Sequence, residues 1–425
     1  MPLELANFKV DKVVFGSTTA WKDGILEIDG DEIMELVAAD PYIENVNVEI
    51  ASPGDSTRIV NDRDVLEPKL KVDGPAVAYP GITGRPVNTV GQGRTHRLAG
   101  MTVISCAEFP EVRVDGSRTW GETPPHQFVD MSGPCAISPY SALSNVCIEM
   151  STEREIDADT WNRSLQAALF KISDRLAETT RDLTPPEVEV IDLTPKPDLP
   201  GFVFIPMLAS PEHRFGATSS MGTGVYGITK LTQPWFLDPT EMLDGAVAGT
   251  YGGSHVTWPL TNSIVLHMAR NHGKEFNFLG CIVVRTNWES QSDKQLMANR
   301  ATQLAQTVGA SGAIVTTNVR GQRFAETVLT VQACERVGIK VVLLTEEEDD
   351  ENATASPILI PVPELVAVVS NGTGSASGPF PAVEKVIGGF GDESWAAERE
   401  PIHGRYGVSH TSDVYGFTKQ SRVDY

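Results

Sequence analysis

Cysteine is scarce in this chain: five among 425 residues, at positions 106, 135, 147, 281 and 334, an odd number with no CxxC pair. Single scattered thiols exclude a disulfide framework and a thiolate-held metal, and they suit a reducing compartment. Basic residues are also few, 34 Lys and Arg against 56 Asp and Glu, which leaves a formal charge of −22. A surface of that sign repels nucleic-acid phosphate and anionic lipid headgroups, so neither nucleic acid nor membrane is expected as a partner. No apolar run reaches the roughly 18 residues that a membrane span needs. The opening MPLELANFKVDKVVFG has no basic flank ahead of an apolar core, so no leader is expected and the protein is expected to be cytoplasmic. His403 and His410 are separated by seven positions, which does not suit one helical face, and no metal site is expected.

What is present is enough apolar sequence for two or three domains at this length. Residues 1–150 read as a β-rich domain, because FKVDKVVFG, NVNVEIASPG and MTVISCAEFPEVRV alternate apolar and polar residues between Gly and Pro breaks. In residues 151–200, Trp161, Leu165, Leu169, Ile172 and Leu176 recur at three or four positions, one stripe of an amphipathic helix, before the proline-studded linker TPPEVEVIDLTPKPDLPG. Residues 201–385 carry the clearest pattern. LGCIVVR and GAIVTT read as buried parallel strands flanking the helix SDKQLMANRATQLAQTVG, with Ser292 and Gln295 in capping-box spacing. A second helix, RFAETVLTVQACERVG, leads to the strands KVVLLT and LVAVVS. Alternation of this kind predicts a doubly wound parallel sheet of the flavodoxin or Rossmann type, so the fold class is mixed α/β. Residues 386–425, polar and glycine-rich with scattered aromatics, read as an extended arm that crosses a partner surface.

Three groups of residues could carry chemistry. At the carboxyl ends of the predicted strands, where doubly wound sheets bind ligands, stand Asn287, Asn318 and Asn371, the last in the glycine-rich turn SNGTGSASG. In VGQGRTHRLAG, Arg94 offers a planar fork for a carboxylate, Gly91 and Gly93 allow close backbone approach, and His96 exchanges a proton near neutrality. The alternative for Arg94 is a turn in which it pairs with a structural acid, and Asp130 in FVDMSG is the first neighbour to test. The third group lies in DPTEMLDGAVAGTYGGSHVTWP: Tyr251, Ser254, His255 and Trp258 in a backbone rich in Gly, Ala and Thr. A serine hydroxyl with a base beside it is a candidate nucleophile, and Trp258 or Trp235 could face a quaternary ammonium by cation–π attraction. After it, PLTNSIVLHMARNHGK reads as a helix with His267 on its apolar stripe and His272 and Gly273 at its carboxyl end.

Five ordered blocks resemble one family. EIASPGDSTRIVNDRDVLEPKLKVDG, VNTVGQGRTHRLAGMTVIS, VDMSG, VYGITKLTQPWFLDPTEMLDGAV and HGKEFNFLGCIVV are together similar to the component B proprotein of glycine, sarcosine and betaine reductases. The resemblance implies a polypeptide that cuts itself ahead of a cysteine and converts that residue to a pyruvoyl group, an electrophile for an amino substrate. It also implies a separate subunit, bearing selenocysteine or cysteine, that cleaves the C–N bond reductively and is left with a carboxymethyl-selenoether. The chain departs from that pattern where the processing cysteine is expected: only AG separates DGAV from TY, and no cysteine lies between Cys147 and Cys281. No cofactor is therefore expected, and the proprotein should remain unprocessed.

The expected function is a component B-like subunit of a hetero-oligomer that binds a small amine or N-substituted amino acid. Its thiol- or selenol-bearing partner supplies the redox chemistry. Arg94 would hold a carboxylate, with His96, Tyr251 and His255 as polar lining. The alternatives are a non-catalytic scaffold held together through the terminal arm, and a lyase or hydrolase that needs no redox partner.

Overall fold

Period-two alternation in the first 150 residues does produce strands, and the faces they bury can be read from it. The computed structural model describes residues 1–74, 79–80, 86–87, 90–108, 128–153, 156, 158–208, 224–225, 233–245, 247–248, 263–286, 290–317, 322–345, 358–370, 379–399 and 408. One four-stranded sheet has the order Glu187–Ile191, Leu3–Lys9, Gly93–Ala99, Lys69–Asp73, with Leu3 paired to Gly93 and Lys9 to Ala99 in a parallel ladder. A second has the order Ile43–Ala51, Ser144–Thr152, Met101–Cys106, Asp62–Leu66. Alternate residues go to opposite sides. Along Ser144–Thr152, Val146, Ile148 and Met150 enter a core shared with two helices, α1 (Gly30–Ala38) and α2 (Ala158–Glu178), while Cys147 enters a different core.

The helical stripe is buried as its spacing requires. Trp161, Leu165, Leu169, Ile172 and Leu176 of α2 are at most 1% exposed and pack on Phe8, Leu98, Met101 and Val103. At about 1.5–3 kcal/mol for each fully buried large side chain, this stripe fastens α2 to the β-rich unit. Part of the predicted linker joins that unit too, since Glu187–Ile191 pairs antiparallel with Leu3–Asn7.

The second unit is the doubly wound sheet. Its order is Trp235–Leu237, Asn277–Arg285, Gly201–Leu208, Gly312–Thr317, Lys340–Thr345, Val368–Ser370. All neighbours are parallel except Trp235–Leu237, which is antiparallel to Asn277–Arg285. Numbered along the chain, the five parallel strands stand in the spatial order 2-1-3-4-5, the flavodoxin-like arrangement whose switch point lies between the first and third strands. Both faces are covered. Val203, Ile205, Met207, Ile282 and Val284 share a core with α5 (Gln291–Thr307) and α6 (Gln322–Arg336), on the face opposite to α3 (Pro239–Leu243) and α4 (Ser263–Asn271). Phe204, Leu208, Phe278, Cys281 and Val283 face α3 and α4 and, beyond them, Leu3, Leu5, Ile59 and Ile104 of the β-rich unit. One core thus runs through both units.

The ends of two helices correct and refine the sequence reading. α5 is capped by Ser290, whose hydroxyl accepts from Asp293 N at 3.1 Å while the Asp293 carboxylate reaches back to Ser290 N. The box therefore begins two residues before the predicted Ser292, with an acid in its return position. α4 closes at His272 with Gly273 at φ 75°, the left-handed position read from the sequence. Finally, the first residues of the predicted arm, with Lys385 just before it, return to their own chain. Lys385–Ile387 pairs parallel with Thr57–Ile59, and Phe380, Trp395 and Val408 form a core with Val60, Phe128 and Cys135. This part completes the β-rich unit from far along the chain, the paired strands lying more than 300 residues apart in sequence.

Candidate functional site: the junction at the end of α3

Seven of the residues singled out from the sequence, Tyr251, Ser254, His255, Trp258, Asn287, Asn318 and Asn371, lie outside the described residues. Arg94, His96 and Asp130 are described, and the structure does not bring them together into one site; Trp235, also described, packs partly buried against the core shared by the two units. Arg94 Nε and Nη2 lie 2.7 and 2.6 Å from Glu4 Oε2 across the Leu3–Lys9 ladder, in a half-exposed ion pair. His96 is buried against Phe8, its ring Nδ1 3.0 Å from the Thr180 carbonyl oxygen just beyond α2. Burial lowers its pKa, with the Arg94 and Arg181 charges adding to the effect and the Thr180 bond opposing it. The neutral ring then donates Nδ1–H to that carbonyl, pinning strand to helix.

Asp130 is not the neighbour of Arg94. Its carboxylate takes Arg58 Nε at 2.6 Å and Nη2 at 2.9 Å, both side chains being at most 1% exposed. Arg58 also donates to the carbonyls of Trp395 at 2.8 Å, Pro381 at 3.0 Å and Ala397 at 3.4 Å. The pair is a bolt between the β-rich unit and residues 381–397. Asp130 was expected beside Arg94 on residue type alone, as an acid that could pair with a guanidinium. Cross-strand register instead puts it opposite Arg58 in the antiparallel pairing with Thr57–Val60.

The glycines of VGQGR approach their own chain. A Cβ on Gly93 (φ 90°) would lie 2.1 Å from the Asp73 carbonyl oxygen, and one on Gly91 (φ 100°) would meet Glu241 Cγ at 3.0 Å and Thr240 Oγ1 at 3.1 Å. That second contact leads to a polar junction that the sequence reading missed. Lys69 and Lys71 stand on one face of the strand Lys69–Asp73 and reach the carboxyl end of α3. Lys69 Nζ donates to the Leu243 carbonyl at 3.0 Å and lies 3.1 Å from Glu67 Oε2. Lys71 Nζ lies 2.6 Å from Asp244 Oδ2, which also accepts from Gly91 N at 2.9 Å. Nearby, Arg97 Nε donates to Asn7 Oδ1 at 2.9 Å, and Arg270 of α4 clasps Glu189 through bonds of 2.7 and 2.9 Å. The signal in the sequence was KLK inside a strand: two cations at the alternate positions where a buried face calls for apolar residues.

This junction flanks the segment in which Tyr251, Ser254, His255 and Trp258 occur, since α3 ends before it and α4 begins after it. The carboxyl edge of the doubly wound sheet holds a second polar group. Thr286 N and Oγ1 both donate to the Leu208 carbonyl, at 2.8 and 2.9 Å, tying the ends of two adjacent strands, and Thr317 and Thr345 are buried at the ends of theirs. A separate groove of about 500 Å³ lies on the outer edge of the β-rich unit between Asn47, Ser151 and Phe390. Its Glu149 carboxylate is engaged by Asn47 Nδ2 and Gly388 N, each at 2.6 Å, and it contains none of the expected site residues.

All five cysteines are free and buried. Burial raises every thiol pKa, those of Cys106 and Cys281 well above the usual range, so each is held as the thiol and none as the nucleophilic thiolate. A pyruvoyl group made from cysteine needs that residue at the processed position. The nearest candidate to the α3–α4 connection is Cys281, in the interior of a central strand. No cysteine stands in that connection, so the residues present do not fit a cysteine-derived group. Among the described residues no cluster of three or more His, Cys, Asp or Glu is placed to hold a metal, and no helix is long and apolar enough to cross a membrane.

A β-rich unit fused through one core to a 2-1-3-4-5 doubly wound sheet defines a mixed α/β protein. Over residues 1–402 the chain matches the family described as glycine/sarcosine/betaine reductase component B subunits, and it belongs to that family. It is 32% identical over 404 residues to the sarcosine reductase complex component B subunit alpha of Peptoclostridium acidaminophilum, covering 91% of this chain and 89% of that one. To the betaine reductase complex component B subunit alpha of the same organism it is 31% identical over 406 residues, covering 91% and 88%. To the glycine reductase complex component B subunits alpha and beta of Acetoanaerobium sticklandii it is 28% identical over 402 residues, covering 91% and 89%. No solved structure matches.

Proposed function

We propose that this chain is the substrate-binding subunit of a component B-like complex, that it acts in one piece, and that a partner subunit supplies the thiol or selenol. The substrate is a small amine or N-substituted amino acid. In the step served, the partner's thiolate or selenolate attacks the carbon bearing nitrogen, a C–S or C–Se bond forms, and the amine leaves with the C–N electron pair and takes a proton. This chain's part is to bind and orient. Tyr251, Ser254, His255 and Trp258, in the connection between α3 and α4, line the substrate, together with the asparagines that follow the sheet's carboxyl ends.

The observation that carries this reading is the state of the cysteines: five buried thiols, all with raised pKa. A chain of this family with no thiolate of its own needs a partner for reductive cleavage. The experiment is a mass measurement under denaturing conditions followed by turnover of glycine, sarcosine and betaine with and without a thiol- or selenol-bearing partner. One unprocessed chain, active only with the partner, is the expected result. Turnover by the chain alone overturns the reading.

A further inference from the structure

The geometry points to a positioning ring, formed by Lys71, Asp244 and the Gly91–Gln92 turn, that sets the place and direction in which the chain leaves α3. It rests on the function proposed above in one respect, that the residues after α3 meet the substrate. The ring closes through three polar contacts. Lys71 Nζ donates to the Gln92 carbonyl at 2.9 Å, Gly91 N donates to Asp244 Oδ2 at 2.9 Å, and Asp244 Oδ2 meets Lys71 Nζ at 2.6 Å.

Each member has a physical reason to be where it is. Gly91 holds φ 100° and passes so close to Thr240 and Glu241 that a side chain would strike α3. Asp244 follows the last helical residue, and Gly245, at φ 87°, turns the chain away at once. At its other end α3 is fixed by the Asp238–Glu241 capping box, with Asp238 N donating to Glu241 Oε2 at 2.7 Å and Thr240 N to Asp238 Oδ1 at 2.8 Å. Lys69, bonded to the Leu243 carbonyl, adds a second tie to the same helix end.

Lys71 and Asp244 side chains are only 8% and 2% exposed. Two charges withdrawn from water gain little stability over an apolar pair of the same volume, but they fix direction and register, which an apolar pair does not. The pair also spans the two units, one partner on the β-rich sheet and the other at the helix that packs on the doubly wound sheet. Lys71 and Asp244 are therefore positioning residues, acting through the segment that begins at Gly245.

The test compares Lys71→Met, Asp244→Asn and Lys71→Arg in the full chain, with thermal melting to establish that each is folded. Asp244→Asn is the mild variant, because an amide oxygen can still accept from Gly91 N. Two readouts are taken: the rate of chymotryptic cutting at Tyr251 and Trp258 under native conditions, followed by mass, and kcat and KM with the partner present. Lys71→Met is expected to raise cutting at least tenfold and lower kcat at least tenfold with KM changed less than threefold, Asp244→Asn to move both in the same direction by less, while Lys71→Arg recovers most of both. Unchanged cutting in Lys71→Met and Asp244→Asn overturns the ring. Raised cutting with unchanged turnover upholds the ring and overturns the assignment of residues 251–258 to the substrate.

Discussion

Replacing Arg58 with Met tests whether Asp130 belongs to the structure or to a substrate site. The substitution removes both bonds to the Asp130 carboxylate and all three to the carbonyls of Pro381, Trp395 and Ala397. A carboxylate at most 1% exposed is then left without its cation. Breaking a buried pair from one side costs about 3–5 kcal/mol. For a cooperative unit of some 150–250 residues, each kcal/mol lowers Tm by about 2–4 °C, so a fall of roughly 6–20 °C is expected. Because burial already raises the Asp130 pKa, the orphaned carboxyl takes up a proton readily, which places the result toward the lower end. The double variant Arg58→Met with Asp130→Leu removes the orphan, and it should melt above the single variant even though it lacks more polar bonds. Melting by circular dichroism gives the comparison, and proteolysis within residues 381–397 reports release of that segment. A shift below about 2 °C in the single variant, or a double variant no more stable than the single, would refute the structural assignment. Loss of turnover in Asp130→Asn without any change in Tm would return Asp130 to the substrate site.

The remaining predictions concern protons. His96 has its pKa lowered in the fold, chiefly by burial, so above its unfolded value near 6.5 both states are neutral and it adds no pH dependence. As pH falls below that value the unfolded chain binds the proton first and stability declines until the folded ring titrates. The denaturant midpoint of wild type minus that of His96→Gln, followed from pH 7.5 down to 5, should therefore decrease on the acid side, and a flat difference would contradict the assigned neutral ring. The five buried thiols should react with a small disulfide reagent at pH 8 at least a hundredfold more slowly in the native chain than in denaturant. One thiol that reacts at the unfolded rate would reveal an accessible thiolate and remove the main support for a partner-supplied nucleophile.

What the sequence made legible was local. The α2 stripe, the strands Asn277–Arg285 and Gly312–Thr317, and the His272–Gly273 helix end all follow from spacing within a few residues, which is the range over which period and capping act. The family resemblance was legible as well, because it was spread over ordered blocks along the whole chain. What escaped was set by contacts distant in sequence. Nothing near Arg58 announces that residues 381–397 will bring three carbonyls to it, and nothing in VGQGR distinguishes a glycine that admits a ligand from Gly93, which admits the Asp73 carbonyl. Asp130 and Arg94 were assigned to one another by residue type, and strand register separated them. Nothing near Lys69 and Lys71 in the sequence shows that the carboxyl end of α3 will meet them. The capping box of α5 moved by two residues because ESQSDKQL offers two serines, and the one with an acid three residues later caps the helix.

A member of the component B family with no cysteine from residue 148 to residue 280 is expected to stay whole and to draw its nucleophile from another subunit. Mass spectrometry of the purified protein in denaturing solvent tests it most directly. One species at the full chain mass of 46.0 kDa is the predicted result. Two fragments that divide within residues 245–262, the second beginning with a ketoacyl group, would contradict it.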